Sequence, residues 1–200
     1  VVAGIKDVDY IAVNTDAKAL HSSKASHKVQ IGEKLTRGRG AGNKPDVGER
    51  SAQENKDEIA AALKGAQMVF IAAGMGGGTG TGAAPVVAEI AQELDILTVA
   101  VVTKPFNFEQ KAKMIQAEKG IEELKKHVDS LIVIPNERLL VGSEKPLTMK
   151  ESFAMADDIL KTGVKSIAEL ITVEGMINLD FADVETTMKN AGYAHMAIGH

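Results

Sequence analysis

The chain has 200 residues, of which 44% are hydrophobic and 25% are charged, and this composition is typical of a globular protein with one or two cored domains. Its 27 acidic and 23 basic residues are interspersed and give a net charge of −4, so we expect no nucleic-acid partner, because binding to phosphates needs a basic footprint. Cysteine is absent and no apolar stretch reaches the roughly 18 to 20 residues of a membrane span, which favours a reducing cytoplasm and excludes membrane insertion.

Short segments rich in valine and isoleucine alternate along the chain with longer amphipathic segments. The short segments predict strands at residues 8–16, 29–31, 68–73, 97–103 and 130–135. The longer segments predict helices at residues 51–64, 83–94 and 108–127. This alternation predicts an α/β fold, with a Rossmann-like parallel sheet and helices on both faces. Residues 38–48 are rich in glycine and contain Pro45, which predicts a loop.

A longer amphipathic helix is predicted at residues 148–172, where apolar side chains recur every three or four positions. A helix of about 24 residues would be on the order of 36 Å long, which is more than one layer of a sheet usually needs. We therefore expect a central helix that joins the sheet to another domain. Residues 196–199 (MAIG) are expected to begin a strand of that second domain.

The strongest chemical motif is GMGGGTGTG at residues 74–82, which follows the 68–73 strand and precedes the 83–94 helix. Six of its nine positions are glycine. A glycine loop before a helix offers backbone N–H groups and the positive end of the helix dipole to an anion, and no Cβ blocks close approach. Thr79 and Thr81 can add hydroxyl donors. The motif therefore predicts a phosphate-binding loop.

Two common phosphate-binding motifs do not account for this loop. A Walker A loop ends in Gly-Lys-Ser/Thr, whereas two alanines follow residue 82 here, so the P-loop is excluded. A dinucleotide-binding G-x-G-x-x-A motif matches at Gly78, Gly80 and Ala83, but the next strand ends in Thr-Lys where an acidic ribose ligand is expected. A dinucleotide-dependent oxidoreductase stays open as an alternative.

Several motifs together resemble one protein family. GGGTGTG at residues 76–82 and its flanks MVFIAAGM and AAPVVAEIA are similar to the glycine-rich nucleotide signature of the tubulin/FtsZ superfamily. The similarity extends to AVNTDAKAL from Ala12, GAGNKPDVG at residues 40–48, TVAVVTKPFNFE at residues 98–109 and NLDFADV at residues 178–184. Independent motifs in the same order make the resemblance specific over essentially the whole chain. It implies a cytoplasmic GTPase that polymerises head to tail into the filaments of the bacterial division ring.

The resemblance implies how GTP or GDP would be held at its phosphates. They would lie against a first loop formed by Gly76, Gly77, Gly78, Thr79, Gly80, Thr81 and Gly82. The γ-phosphate would lie near a second loop formed by Gly40, Ala41 and Gly42. Asn14 and Asp16 would approach the nucleotide and its Mg²⁺, and a turn that ends a strand explains these two residues equally well. No residue is assigned as a metal ligand.

The resemblance also implies contacts to the sugar and the base. Glu109 corresponds to a carboxylate that contacts the ribose, and Lys113 occupies a position where bacterial members usually carry arginine, so the charge is kept and the bidentate geometry is lost. Asn136 and Asp157 would read guanine, because a carboxylate accepts from its ring N–H and its amino group together. Phe153 would stack on the base, although its spacing alone is that of a core residue in an amphipathic helix.

A second candidate site is formed by Asn178, Asp180 and Asp183. The resemblance implies that this segment lies at the opposite end of the subunit and completes the active site of the neighbouring subunit, where its carboxylates polarise the attacking water. Asp180 and Asp183 also have the spacing of a helix N-cap followed by a first-turn acid. The two roles are compatible, because a cap holds the carboxylates rigidly.

The resemblance divides the chain into three parts. Residues 1–147 would be a GTP-binding domain that lacks its N-terminal strand and loop, residues 148–172 the central helix, and residues 173–200 a loop, a helix and the start of a truncated C-terminal domain. We therefore expect a fragment of a longer protein whose main partner is itself and whose GTPase activity depends on assembly. Segments absent here would bind division-ring and membrane-tethering proteins. A non-catalytic fragment that caps filaments is a further alternative.

Overall fold

The computed structural model describes residues 8–141, 147–172 and 180–194, in which strands and helices alternate. The strands are β1 (Ile11–Asn14), β2 (His27–Gln30), β3 (Met68–Gly74), β4 (Leu97–Lys104), β5 (Ser130–Pro135) and β6 (Gly192–Tyr193). The helices are α1 (Ala17–Ser22), α2 (Glu33–Thr36), α3 (Pro45–Glu54), α4 (Lys56–Leu63), α5 (Thr79–Glu93), α6 (Lys111–Lys125), α7 (Asn136–Val141), α8 (Met149–Thr172) and α9 (Phe181–Met188). A single 3-10 turn, Asn107–Glu109, precedes α6.

The strands form two parallel sheets. One sheet pairs β1 with β2, and the other pairs β3, β4, β5 and β6 in chain order. Parallel neighbours need a crossover connection, which the intervening helices supply. The segments that follow the strands therefore share one side, here named the carboxyl edge, and the segments that precede the strands share the opposite amino edge. The expected α/β fold with a parallel sheet is confirmed.

Strand β4 shows how helices cover both faces of the larger sheet. Val99 and Val101 pack with apolar residues of α8, whereas Ala100 and Val102 pack with apolar residues of α5 and α6. All four side chains are fully buried. Successive side chains of a strand point to opposite faces, so a continuously apolar strand needs a helical layer on each side. The expectation of helices on both faces is confirmed.

A third apolar cluster joins the two sheets. Val29 of β2 and the adjacent Ile31 pack with residues of α3, α4 and α5, and the same cluster contacts Ile11 and Val13 of β1 and Val69 of β3. Both sheets therefore lie against one layer of helices, with their carboxyl edges side by side.

The helix predicted at residues 51–64 is two helices. α3 begins at Pro45, inside the segment predicted as a loop, because proline suits the first helical position, where no N–H is needed. Asn55, at φ −114° and ψ 30°, separates α3 from α4. The Asn55 Oδ1 accepts a hydrogen bond from the Gly32 amide at 2.8 Å. This contact with a distant segment holds the break, and no local pattern predicts it.

Two other helices begin at residues that differ from those predicted. α5 begins at Thr79 rather than residue 83, so its first turn is part of the glycine motif. α6 begins at Lys111 rather than residue 108, because Gln110 adopts a left-handed φ of 99° that a helix cannot continue through. The short helices α1, α2 and α7 were not predicted. The long helix was predicted correctly as α8, and the strand expected at residues 196–199 lies outside the described residues.

Candidate functional site

The glycine motif connects the carboxyl end of β3 to the N-terminus of α5. The first-turn amides of a helix have no acceptor within the helix. In the described part of the chain, the amides of Gly77 and Gly78 also donate no hydrogen bond. These donors and the positive end of the α5 dipole together form a site suited to an anion.

The hydroxyl groups of the motif hold the loop itself. The Thr79 Oγ1 lies 2.6 Å from the Oγ1 of Thr15, which follows β1 and is fully buried. The amide of Gly76 donates to the Thr81 Oγ1 at 2.8 Å, and Thr81 is also buried. Both hydroxyl oxygens therefore have a partner within the protein, through which they join the loop to β1 and fix its turn.

Two glycines of the motif, and Gly48 of α3, are required by backbone packing. A Cβ at Gly82 would lie 1.9 Å from the carbonyl oxygen of Pro45 at the start of α3. A Cβ at Gly48 would lie 2.2 Å from the carbonyl oxygen of Gly78, and one at Gly80 would lie 2.3 Å from the last carbonyl oxygen of β3. No side chain fits at such distances. Helix α5 and its loop therefore contact α3 and β3 backbone against backbone.

The second predicted loop lies directly beside the first. A Cβ built at Gly78 would be 2.7 Å from the Cβ of Ala41. Gly40 and Gly42 adopt φ values of 83° and 59°, a left-handed conformation that glycine tolerates best. The Gly40 amide donates to the Thr15 carbonyl at 3.2 Å. The structure therefore brings both predicted phosphate loops together next to the end of β1.

Two glycines face open space between these loops. Around a Cβ built at Gly77 the nearest atom is the Asn43 Oδ1 at 3.9 Å, and no atom lies within 4 Å at Gly42. Gly76 differs, because its φ of 110° and the Lys113 carbonyl oxygen, at 3.1 Å from a built Cβ, explain its lack of a side chain. At Gly77 and Gly42 the surrounding protein therefore leaves room for an anionic group to approach the backbone.

Asn14 and Asp16 have clear structural roles at the end of β1. The Asp16 amide donates to the Asn14 Oδ1 at 3.0 Å. The Asp16 Oδ1 caps α1 by accepting from the amides of Lys18 and Ala19 at 2.9 and 3.0 Å. Asp16 also pairs with Arg39 in an isolated antiparallel bridge, which ties the second loop to β1. The turn explanation of these residues is confirmed, and their approach to a nucleotide stays a prediction.

Glu109 lies beside the glycine loop and uses both carboxylate oxygens. Its Oε1 accepts from the Phe106 amide at 3.0 Å, and its Oε2 accepts from the Lys113 Nζ at 3.3 Å. The two charged side chains are 13% and 32% exposed. Lys113, which stands where arginine was expected, thus contacts the predicted ribose carboxylate. A sugar hydroxyl at Glu109 would share the carboxylate with these two donors.

Asn136 follows β5 at the carboxyl edge and is only 4% exposed. Its Oδ1 is buried and has no hydrogen-bond partner among the described residues. An unpaired buried acceptor costs roughly 1–3 kcal/mol, so such an atom is a strong candidate to receive a hydrogen bond from a ligand. The predicted contact with guanine requires an acceptor of this kind.

Phe153 belongs to a cluster of three aromatic rings. The rings of Phe106 and Phe108 stack with centroids 4.9 Å apart, and Phe153 meets them edge-on at 5.5 and 6.1 Å. Phe106 is buried, whereas Phe108 is 45% and Phe153 is 40% exposed. The core explanation therefore fits Phe106 and is wrong for Phe153. One turn further along α8, Asp157 is exposed.

The second candidate site lies at the other edge of the sheet. Asp180 is the N-cap of α9, and its Oδ1 accepts from the Asp183 amide at 2.8 Å, so the predicted cap is confirmed. At the other end of α9, the carbonyl of Met188 accepts from the Oγ of Ser130, the first residue of β5, at 2.9 Å. α9 is therefore attached to the amino edge, opposite the glycine loop. Asn178 lies outside the described residues.

Some residues at the carboxyl edge were missed by sequence reasoning. The available signal for Phe106 and Phe108 was that two of only five phenylalanines fall within one tripeptide. Thr15 and Asn43 offered no signal, because a threonine after a strand and an asparagine in a glycine-rich loop are common. Their proximity to the glycine loop follows from the packing of β1 and α3, which pattern alone does not predict.

The carboxyl edge thus combines free amides at a helix N-terminus, a buried hydrogen-bond acceptor and an exposed aromatic surface. This combination is typical of the nucleotide-binding α/β domains. Comparison with known families narrows this class. Residues 4–142 match the family described as "Tubulin/FtsZ family, GTPase domain". The chain belongs to the Tubulin/FtsZ family, as its motifs indicated.

Individual relatives agree with this assignment. The chain is 60% identical over 195 residues to cell division protein FtsZ of Wigglesworthia glossinidia brevipalpis, a match that covers 98% of this chain and 51% of that protein. The solved structure titled "FtsZ dimer, empty (M. jannaschii)" is similar with a TM-score of 0.91 and 51% identity, over 95% of this chain and 55% of that one. These comparisons give no support to a dinucleotide-dependent oxidoreductase.

A more distant structure shares the fold. The GTPγS-bound protofilament of CetZ2 from Haloferax volcanii matches with a TM-score of 0.77 and 24% identity, over 92% of this chain and 55% of that one. At this identity the likeness concerns the fold alone. The chain spans about half the length of the relatives that it matches.

Two negative findings concern the residues that the structure describes. Within ranges 8–141, 147–172 and 180–194, no three histidine, aspartate or glutamate side chains are grouped so that they could hold a metal ion. In the same ranges, no helix has both the length and the apolar character needed to cross a membrane.

Proposed function

We propose that the whole protein binds and hydrolyses GTP and polymerises head to tail into filaments at the bacterial division site, with each active site completed by the neighbouring subunit. The observation that carries this proposal is the separation of the two candidate sites. The glycine loop follows β3 at the carboxyl edge, whereas α9, with Asp180 as its N-cap and Asp183 in its first turn, is attached at the amino edge. Sites on opposite edges meet when subunits stack in one orientation.

The phosphates of GTP would lie between the two glycine loops. The free amides of Gly77 and Gly78 would donate to phosphate oxygens, and Gly42 and Gly77 leave room for close approach. Mg²⁺ would neutralise charge on the phosphates when bound. Since the described residues hold no cluster of three ligating side chains, phosphate and water would supply most of its ligands, as is usual for this ion.

The preference for guanine is supported by Asn136 and Asp157. The unpaired, buried Asn136 Oδ1 can accept one hydrogen bond from the base, and the exposed Asp157 carboxylate can accept from the ring N–H and the amino group of guanine together. Adenine offers no such pair of donors. The exposed parts of Phe108 and Phe153 provide an aromatic surface on which a base can stack.

The acids of α9 would act on the water that attacks the γ-phosphate. The Asp180 Oδ1 is engaged by the cap, which fixes the carboxylate while its second oxygen can face a neighbouring subunit. A carboxylate in that position orients the water and accepts its proton. Phosphoryl transfer depends mainly on positioning and charge stabilisation, so a few oriented groups are sufficient.

The experiment that tests the proposal measures GTP hydrolysis per subunit as a function of protein concentration. It uses a chain extended at both ends to the length of its relatives, with ATP as the control nucleotide. We expect little activity below a threshold concentration and increasing activity above it, for GTP only. Activity that is independent of concentration would contradict an active site shared between subunits, and equal rates with ATP would contradict guanine recognition.

The same preparation tests the filament-capping alternative. A capping fragment would reduce assembly of the extended protein when these 200 residues are added separately, and it would not hydrolyse GTP. A fragment that leaves assembly unchanged would argue against this alternative.

A further inference from the structure

Helix α9 makes few apolar contacts with the rest of the described chain. Among the described residues of α9, Val184 is the only buried one, and Met188 packs at the margin of the apolar cluster that β4 and β5 form with α8. A cavity of about 400 Å³ separates the C-terminal half of α9 from the ends of α5 and α6, and its walls include Gln92, Lys125 and Glu185. The apolar contact of α9 is therefore small, so hydrogen bonds have an unusually large share in fixing its position.

Asp129, directly before β5, is the centre of these hydrogen bonds. Its Oδ2 accepts from the Thr98 amide at 2.9 Å, at the start of β4, and its Oδ1 accepts from the Asn190 amide at 3.3 Å, just after α9. Its carbonyl oxygen accepts from the Gly192 amide at 2.9 Å. One carboxylate thus joins the amino edge of the sheet to the turn that ends α9.

Ser130 adds a second contact at the same place. Its Oγ donates to the carbonyl of Met188, in the last turn of α9, at 2.9 Å, and its side chain is buried. The turn beyond α9 is restricted as well, because Asn190 and Gly192 adopt left-handed φ values of 56° and 73°. Asp129 and Ser130 therefore hold the C-terminal end of α9, while Asp180 and Asp183 are at its N-terminal end.

We propose that Asp129 and Ser130 are positioning residues, which orient α9 so that Asp180 and Asp183 reach the active site of the neighbouring subunit. This inference rests on the proposed function. α9 has eight residues and is about 12 Å long, so a change of angle at its attached end is converted into a displacement of its acids. Misplacement of reacting groups by about 1 Å can reduce a rate by about a hundredfold.

The test compares Asp129→Asn with the parent in the extended chain. Asparagine has one acceptor oxygen, so either the Thr98 or the Asn190 amide would face an NH₂ donor. We expect kcat per assembled subunit to fall by about tenfold or more, while the KM for GTP, the affinity of the unassembled subunit for GDP and assembly with a slowly hydrolysed GTP analogue stay within about twofold. A residue that only supports the fold would lower these quantities together with kcat.

Asp95→Asn is the matched control. Asp95 lines the same cavity, its carboxylate makes no hydrogen bond among the described residues, and its φ of 54° suits asparagine. Replacement of the Asp95 carboxylate by an amide should leave kcat unchanged. Ser130→Ala is the second variant, and we expect a smaller decrease in kcat in the same direction. If Asp129→Asn does not fold, Ser130→Ala alone tests the positioning role.

A third arm, Asp180→Asn, separates failure of this inference from failure of the proposed function. If Asp180→Asn keeps the full rate, Asp180 does not act on the neighbouring active site and the inference falls with it. If Asp180→Asn is slow while Asp129→Asn and Ser130→Ala keep the parental kcat, only the positioning role is overturned. The positioning role would also be overturned if Asp129→Asn and Ser130→Ala both lost GDP affinity to the same extent as kcat.

Discussion

The two edges of the parallel sheet are built in different ways. At the carboxyl edge, α5 meets α3 backbone against backbone at Gly82 and Gly48, with no space for a side chain. At the amino edge, α9 is held by hydrogen bonds from Asp129 and Ser130, next to a cavity of about 400 Å³. The edge that would bind the nucleotide is therefore fixed by packing, whereas the edge that would act on a neighbour is fixed by a few polar groups. Substitutions of the packing glycines should therefore affect stability, and substitutions in or next to α9 should affect the rate.

Asp180→Asn should have the largest effect and should be confined to rate. Asparagine caps a helix about as well as aspartate, so the fold is preserved while the carboxylate is lost. We expect kcat of the assembled, extended chain to fall by about 10²- to 10⁴-fold, with an unchanged melting temperature. GTP turnover and thermal denaturation measure the two quantities. Asp158→Asn, an exposed acid of α8, should change neither, and a parental rate for Asp180→Asn would show that Asp180 is a cap only.

Gly82→Ala and Gly77→Ala should separate packing from binding within one loop. The new Cβ at Gly82 would lie 1.9 Å from the Pro45 carbonyl oxygen, so we expect a loss of about 3 kcal/mol or more in the free energy of unfolding. At Gly77 the nearest atom would be 3.9 Å away, so stability should change by less than about 0.5 kcal/mol.

Gly77→Ala, the variant expected to fold normally, should instead weaken GTP binding. Gly77→Ala would place a methyl group where a phosphate is expected, and GTP affinity should fall by about tenfold, or 1.4 kcal/mol. Urea denaturation and nucleotide titration distinguish the two variants. Equal stability losses for both would remove the distinction between packing glycines and ligand-facing glycines.

Asn136→Ala should change base preference with little effect on stability. Because the Asn136 Oδ1 has no partner among the described residues, its removal breaks no hydrogen bond to that atom. We expect the parent to bind GTP more tightly than inosine triphosphate, which lacks the amino group, by roughly 1–3 kcal/mol. The variant should lose part of this preference, because the Asp157 carboxylate would still accept from the amino group. A preference that survives intact would assign guanine recognition to other residues, with Asp157 the first to test.

The smallest effect concerns the start of α8 at the carboxyl edge. The hydroxyl and the amide of Thr148 both donate to the Glu151 Oε2 at 2.7 Å. These hydrogen bonds, the one from the hydroxyl more than the one from the amide, lower the pKa of Glu151 below its usual 4.5. A carboxyl group whose pKa is lowered by folding stabilises the folded state at pH values above its pKa in the unfolded chain. This contribution to stability is lost as the pH falls through its pKa in the folded state.

Glu151→Gln should therefore melt slightly below the parent at neutral pH and at the same temperature in acid. Melting temperatures between pH 7 and about pH 3 measure this difference, with Asp158→Asn as the comparison on the same helix. A difference that grows as the pH falls would have the wrong sign for this contact.

Sequence patterns predicted the fold better than the helix boundaries. Strand β4 was recognisable because its central residues, 99–102, are buried on both faces and are all apolar. The start of α5 at Thr79 was missed because glycines normally weaken a helix, whereas here close packing against α3 requires them. The start of α6 after Gln110 depends on a left-handed φ at that residue, which the residue type does not predict.

The candidate site divides in the same way. Motifs confined to one segment, such as the glycine loop and the Asp180 cap, were predicted from local chemistry and are present. Contacts between distant segments were not predictable from one sequence. The Thr15–Thr79 hydrogen bond and the contact of Phe153 with Phe106 depend on how β1 and α8 pack against the larger sheet.

The packing glycines and the ligand-facing Gly77 also bear on how the glycine-rich segments 40–48 and 74–82 should vary among related sequences. Gly48 and Gly82 are needed by any chain that packs α3 on α5 in this way, whether or not it binds a nucleotide. Gly77, which faces open space, is needed only while a ligand occupies that space. A descendant that kept the fold and lost the nucleotide would therefore conserve most of the glycine signature and become variable first at Gly77.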